Sequence, residues 1–424
     1  YELIGVTDVE TRIEAAAAKG LTTFVGRSRE MQVLEEAYEK IKSGNGQVMG
    51  IVGEAGVGKS RILLELKNGL PTDEYCYLEG QCLHYGGGMV YLPIMDILRS
   101  YLGIEEGDRE FIIKKKLQEK LLQLDKKFNI HLPPLQDLLS LKIDDEKYPQ
   151  LSPGQKKVVT FEAIRDVIIR ESQNRPVVVA VEDLHWIDKN SEEFLSYLID
   201  WLPNTRILLV LLYRPEYTHQ WGSKSYYSKV GVNQLSAQTS AELVQVILED
   251  GAVVPEIKEL ILGRASGNPF YVEELTRSLL ENGTIQKKEQ EYVLARKSAE
   301  IQVPDTLQGI IAARIDRVEE NLKRIMQVAS VIGREFAFRL LQTIMGMRQE
   351  LKSQLLNLQG LEFISEKRLF PELEYVFKHA LTQEVTYSGL LQKRKKQIHE
   401  RIGAAIESLH PDKLEEYYEL LAYH

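Results

Sequence analysis

Cysteine is almost absent from this chain. Cys76 and Cys82 are the only two in 424 residues, and without paired Cys/His spacing elsewhere they point to neither a disulfide framework nor a zinc site. Long apolar runs are missing too. No stretch of about 18 uncharged apolar residues occurs, nor a charged, apolar, small-residue leader, so neither a membrane span nor a secretory signal is expected and the expected location is cytoplasmic. Positive charge is in deficit: the formal net charge is −9, which argues against nonspecific nucleic-acid binding as the main task. The basic run Lys393-Arg394-Lys395-Lys396 reads as a solvated helix face. Tryptophan is scarce as well, and Trp201 and Trp221 have no motif around them, so stacking on nucleic acid gains no support. No internal repeat of fixed period is visible, although the last residues could begin a helical array. The chain starts at Tyr1 rather than methionine, and the expectation is an excised piece of a longer polypeptide. Its 44% apolar content is ample for globular cores, and its length suggests about three units.

What is present is concentrated near residue 53. Gly53-Glu54-Ala55-Gly56-Val57-Gly58-Lys59-Ser60 fits the phosphate-loop pattern G-x-x-x-x-G-K-[ST] without a mismatch. The apolar run Val48 to Val52 supplies a buried strand before it, and Arg61 to Leu66 continue into a helix after it. Gly53, Gly56 and Gly58 let the backbone, Val57 included, turn its N–H groups around a phosphate, and the helix N-terminus adds partial positive charge. Lys59 should reach the β and γ phosphates, and Ser60 should offer its hydroxyl to Mg²⁺. Arg61 completes the expected nucleotide-contacting set on this segment.

Residues 1–20 read as a linker. Residues 21–216 form the expected nucleotide-binding domain, an α/β fold with a parallel sheet and helices on both faces. Its strands are expected at Val48 to Val52, residues 75–80, Val177 to Val181 and Ile207 to Tyr213. A helical insertion spans about 93–172. From about residue 235 the pattern becomes helical throughout (Ser240 to Leu248, Glu256 to Arg264, Pro269 to Glu281), giving a helical lid over 217–300 that ends in a polar stretch, Gln286 to Glu300. Residues 301–395 then show helices followed by a hairpin at 361–378 with its turn near Arg368 to Pro371, a winged-helix arrangement. Residues 396–424 begin a C-terminal helical region.

Val177 to Asp183 places two carboxylates at the end of a buried strand, where open α/β sheets hold ligands. Glu182 should hold Mg²⁺ directly or through water, and Asp183 should orient or deprotonate the attacking water. Related motifs commonly begin with Asp, which leaves the division of labour between the two acids open. Asp188 is expected to cap the next helix. Arg214 follows a strand directly and is a candidate γ-phosphate sensor, because its planar fork makes paired charge-assisted bonds. His185 and Trp186 read as packing residues.

Phe24-Val25-Gly26-Arg27 with Glu30, the phosphate loop, Glu182-Asp183-Leu184-His185-Trp186, Tyr213-Arg214-Pro215 and Gly267-Asn268-Pro269 occur in the order found in STAND-type signalling ATPases of the AAA+ superfamily. Over about residues 21–400 the chain resembles that family, and Phe377 to Tyr387 looks like the winged-helix end of the ATPase modules that follow class III adenylate/guanylate cyclase domains. Thr11 to Val25 resembles the junction after such a cyclase. The resemblance implies that Val25, Gly26 and Arg27 line the adenine and ribose side and that Pro269 packs on the base. It implies that His379 contacts the β phosphate of ADP, or else is satisfied within an interdomain interface. The implied activity is a slow Mg-ATP/ADP switch acting on an upstream cyclase domain, with protein partners possible through a tetratricopeptide-like C-terminal region. Two rivals stay open: a DNA-associated AAA+ ATPase working through its winged helix, and a nucleotide-binding scaffold without turnover.

Overall fold

The computed structural model describes residues 22–424, apart from 72–73, 83–89, 106–107, 250, 296–303, 305, 347–349, 369–372, 410, 412–413 and 415–417. The expected linker 1–20 and the tip of the expected hairpin turn therefore lie outside the described residues. Five parallel strands form the main sheet: β1 (Gln47–Val52), β2 (Cys76–Gln81), β3 (Val177–Glu182), β4 (Ile207–Tyr213) and β5 (Tyr227–Gly231). Their order is β2-β3-β4-β1-β5, with every pair parallel.

Near-continuous apolar sequence is what a sheet covered on both faces requires. Alternate side chains divide between the faces. Met49, Ile51, Val178, Ala180, Leu208, Val210 and Leu212 pack with helices Ser28–Lys42 and Lys59–Gly69. Val48, Val177, Val179, Val181, Leu209 and Leu211 pack on the other face, against helices Leu92–Leu102, Pro153–Asn174 and Lys189–Asp200. The result is the expected α/β domain, a parallel sheet with helices on both faces and the phosphate-loop motif following β1.

β5 was absent from the sequence expectation because it offers no apolar run: of Tyr227–Gly231 only Val230 is buried. Its pairing with β1 supplies what its composition does not. The stretch after residue 235 is likewise not wholly helical. β6 (Ala252–Val253), β7 (Ile285–Lys288) and β8 (Glu291–Leu294) make a small second sheet, anchored by buried Ile285 and Tyr292. The polar majority of Gln286 to Glu300 hid the hairpin, since its outer face is solvated.

Three helices of the C-terminal half, Glu320–Ile332, Phe338–Met345 and Glu350–Gly360, precede β10 (Ile364–Arg368) and β11 (Glu374–Phe377), and β11 also pairs with β9 (Glu335–Ala337). One continuous core runs from Leu235 to Ile406, so the helices after β5 and this hairpin unit are packed as a single body. Buried charge fastens them further. Arg314, on helix Leu307–Arg317, bonds Glu274 at 2.5 Å and Glu281 at 2.7 Å, both on helix Pro269–Glu281, and donates to Leu361 O at 3.0 Å. A buried guanidinium with this many acceptors meets the condition under which such a charge is tolerated.

Lys378 makes a separate ion pair with Glu362 at 3.2 Å. Burial, then the neighbouring Arg277, pushes its ammonium down to about 8. An unfolded lysine keeps its proton to about pH 10.4, so between those values the unfolded chain binds more protons and stability rises with pH. Lys378→Met should remove that rise. Thermal unfolding of both proteins at about pH 7.5 and about pH 9.5 checks it, and parallel curves would contradict it.

Candidate functional site

β1 runs into the loop Gly53 to Ser60, which turns directly into helix Lys59–Gly69. No side chain caps that helix start, so its first N–H groups are left to face an anion. Gly56 has φ +80°, and a Cβ there would lie 2.9 Å from Asn268 Oδ1 and 3.0 Å from Phe270 Cβ. Its bareness thus serves a close approach. The segment touching it is the start of helix Pro269–Glu281: Asn268 caps that helix and donates to Ala55 O at 2.9 Å, and Phe270 N–H donates to Gly56 O at 3.2 Å. Pro269 occupies the first helical position between them, with its missing N–H at no cost.

Lys59 folds back over its own loop, donating to Gly53 O at 2.7 Å and Glu54 O at 3.0 Å. Burial lowers the proton affinity of its ammonium and Arg214 adds to the effect, while Asp183, Glu182 and Glu54 oppose it. Glu182, Asp183 and Arg214, the other ionic groups singled out from the sequence, are therefore all within electrostatic reach of Lys59. Ser60 Oγ donates to Glu182 Oε2 at 2.6 Å, joining the loop to the end of β3. Such an oxygen pair suits Mg²⁺, which needs few protein ligands and takes the rest from phosphate and water. Among the described residues no group of three or more His, Cys, Asp or Glu could hold a metal.

Asp183 begins the turn after β3 in the left-handed region, φ +55°. Its Oδ2 accepts from Arg334 Nη1 at 3.0 Å. Arg334 lies between helix Glu320–Ile332 and β9, and its backbone carbonyl is tied to Phe377 N–H at 2.9 Å. Arg214 points from the end of β4 to Glu384, 3.3 Å away, and lies 5.2 Å from the Trp186 ring centre. Asp188 caps helix Lys189–Asp200 by accepting from Asn190 and Ser191 N–H, both at 3.0 Å.

The remaining sequence candidates divide. Arg27 is 6% exposed, with its guanidinium on Val57 O at 3.0 Å and Glu30 at 3.1 Å. It braces the phosphate loop from the strip that also carries Val25 and Gly26. Gly26 has φ +68°, and Thr239 fills the space a Cβ would need, bringing helix Ala237–Ile247 onto that strip. Arg61 bonds Glu65 at 2.6 Å and Thr22 O at 2.9 Å, fastening the chain leading into residue 24. His379 precedes helix Ala380–Ser388, with its ring centre 3.9 Å from that of Phe270. Loop, Phe270 and His379 thus form one line of contact. Phe270 and Arg334 escaped the sequence reading, while Asn268 and Glu384 were named only within longer strings and given no role of their own. Arg334 is 151 residues from its partner, and nothing local marks it.

With this geometry in hand, the known proteins it resembles can be placed. The family model described as an AAA ATPase domain matches residues 23–211. An uncharacterized protein of Rhizobium meliloti (strain 1021) is 23% identical over 392 residues, covering 90% of this chain and 37% of its own length. A Signal Transduction ATPase with Numerous Domains (STAND) protein with a tetratricopeptide repeat sensor, from Pyrococcus horikoshii, superposes with a TM-score of 0.53 at 14% identity, over 95% of this chain and 48% of that one. The Aeropyrum pernix ORC1 protein in complex with DNA covers 88% of this chain and 95% of its own at 10% identity, but its TM-score of 0.38 is too low to bear on fold or function. The chain spans well under two thirds of the first two relatives. Residues 23–211 match the model of an AAA ATPase domain, and the fold of the chain is similar to that of a STAND ATPase.

Proposed function

We propose that the chain is a Mg-ATP/ADP-binding regulatory ATPase of the STAND type, a switch whose hydrolysis is slow. The observation that carries this reading is the docking of the C-terminal body onto the phosphate-binding edge: Arg334 on Asp183, Glu384 on Arg214, and His379 against the Phe270 that holds Gly56. A unit seated on the catalytic edge responds to whatever occupies that edge, and differential affinity for two nucleotides becomes a change in its position.

Lys59 and the loop N–H groups would hold the phosphates, and Ser60 with Glu182 would hold Mg²⁺, which neutralises charge on the phosphate oxygens when bound. Asp183 would orient the water or take its proton. Arg214 would read the γ-phosphate, and Val25, Gly26 and Pro269 would border the adenine. Residues 301–395 serve as a winged helix that clamps the nucleotide. By resemblance, the output is control of a nucleotide cyclase domain in the same polypeptide, in the cytoplasm, and residues 396–424 open a tetratricopeptide-like region for protein partners. Among the described residues no helix is long and apolar enough to cross a membrane.

His379→Ala should weaken ADP at least about fivefold more than ATP, because the ring is placed to favour the docked arrangement. Titration of each nucleotide with Mg²⁺ decides the point, and equal losses would return His379 to a packing role. A second reading, DNA association, is favoured by exposed Lys393 and Lys396 on helix Gln392–Leu409. Duplex binding that falls steeply with salt would support it.

A further inference from the structure

Two ionic groups at the catalytic edge, Arg334 and Glu384, arrive from the C-terminal body and have no task in the ATPase chemistry itself. We propose that Arg334 is a positioning residue that holds Asp183 out of catalysis while that body is docked, and that Glu384 does the same to Arg214. The inference rests on the ATPase reading above.

Asp183 must present a carboxylate oxygen to water if it is to orient it or accept its proton. In this arrangement Oδ2 is already given to Arg334 Nη1 at 3.0 Å, and the Arg334 side chain is 6% exposed, so solvent does little to weaken the pair. The sensor is occupied in parallel. Arg214 spends its Nη2 donor on Glu384, a group of the same sign as the γ-phosphate it would otherwise meet. Two charges contributed by the AAA domain are thus matched by two opposite charges contributed by one body, at residues 334 and 384.

The contrast with Arg314 shows which contact is built to open. Arg314 has acceptors on Glu274, Glu281 and Leu361 and sits within a continuous apolar core. Arg334, by comparison, keeps a buried Nε without a hydrogen-bond partner among the described residues. A buried donor left over is what a bond that must be exchanged looks like, since the docked state does not use all that the guanidinium offers. Glu384 and Arg214 are each 23% exposed, so water can replace their contact. The body held together by Arg314 would therefore leave the catalytic edge as a unit, releasing Asp183 and Arg214 in one movement.

The test is steady-state ATP turnover of the full chain with Arg334→Met, Arg334→Lys and Glu384→Gln, with hydrogen exchange on the nucleotide-free proteins. Arg334→Met keeps the volume and removes the charge. It should raise kcat about tenfold with KM for ATP changed less than about twofold, and should speed exchange of the amides around residues 183 and 334. Arg334→Lys should keep both near wild type, which loss of packing alone would not predict. Glu384→Gln should raise kcat in the same direction by a smaller factor, and it serves as the decisive variant if Arg334→Met unfolds. Unchanged or slower turnover in a folded Arg334→Met overturns the clamp while leaving the ATPase reading intact; a slower rate would make Arg334 a catalytic group instead. A wild type that neither binds nor turns over ATP overturns the ATPase reading, and the clamp with it.

Discussion

Lys59→Ala should abolish tight nucleotide binding while leaving the fold intact. The ammonium is the one full positive charge the phosphate loop carries, and it already reaches the carbonyls of Gly53 and Glu54. A nucleotide phosphate lying in the loop would meet it at the centre of the cradle. Hydrogen bonds to charged groups contribute about 1.5–3 kcal/mol each, so losing two of them corresponds to a weakening of roughly 10²- to 10⁴-fold. Burial already disfavours the charged form of this lysine, and only nearby carboxylates oppose that, so a phosphate has much to gain from it. The fold should survive because helix Lys59–Gly69 is held by Ile62, Leu63, Leu64 and Leu66, not by Lys59. Thermal unfolding without nucleotide should match wild type. Saturating ADP at about 100 times Kd should add about 2.7 kcal/mol of stability to wild type and almost none to the variant. Equal stabilisation of the two proteins would place the nucleotide elsewhere.

Asp183→Asn is expected to have the next largest effect, on turnover far more than on binding. Asparagine is the same size and tolerates the left-handed backbone found at this position, so the turn after β3 should persist. What disappears is the charge that would orient water or accept its proton, and positioned general bases contribute about 10²- to 10⁴-fold. Binding should hold, because the phosphate contacts belong to the loop and the Ser60–Glu182 pair. The substitution also takes the carboxylate away from Arg334, and that loosens the docked body without restoring catalysis. Single-turnover kinetics with Mg-ATP separates the two effects. A variant that hydrolyses ATP at the wild-type rate would remove Asp183 from the chemistry and shift attention to Glu182.

How much of this was legible beforehand depends on whether a feature is local. β1, β3 and β4 were readable because each is an apolar run buried on both faces, and the phosphate loop because eight consecutive residues carry its pattern. The Asp188 cap was readable from one side chain before a helical rhythm. β5 was not, since neighbours rather than composition make it a strand. The β7–β8 hairpin was hidden by its solvated face. The helices after residue 235 were visible singly, yet nothing in their spacing said that they share a core with the hairpin unit. The site divides in the same way. Lys59, Ser60, Glu182, Asp183 and Arg214 announce themselves by motif or by position at a strand end. Arg334 and Glu384 are ordinary charges in their own segments and acquire meaning only from tertiary placement, 151 and 170 residues from their partners. Arg27, expected on the nucleotide side, has a second task that its sequence did not show: it braces the loop through Val57 O.

The central claim is that the phosphate loop and the docked C-terminal body together retain a nucleotide, and the most direct measurement is what the purified protein carries. Denaturing wild type and Lys59→Ala and identifying the released nucleotide by chromatography should give close to one ADP per wild-type chain and almost none from the variant. An empty wild type that also fails to take up Mg-ATP on titration would contradict the account.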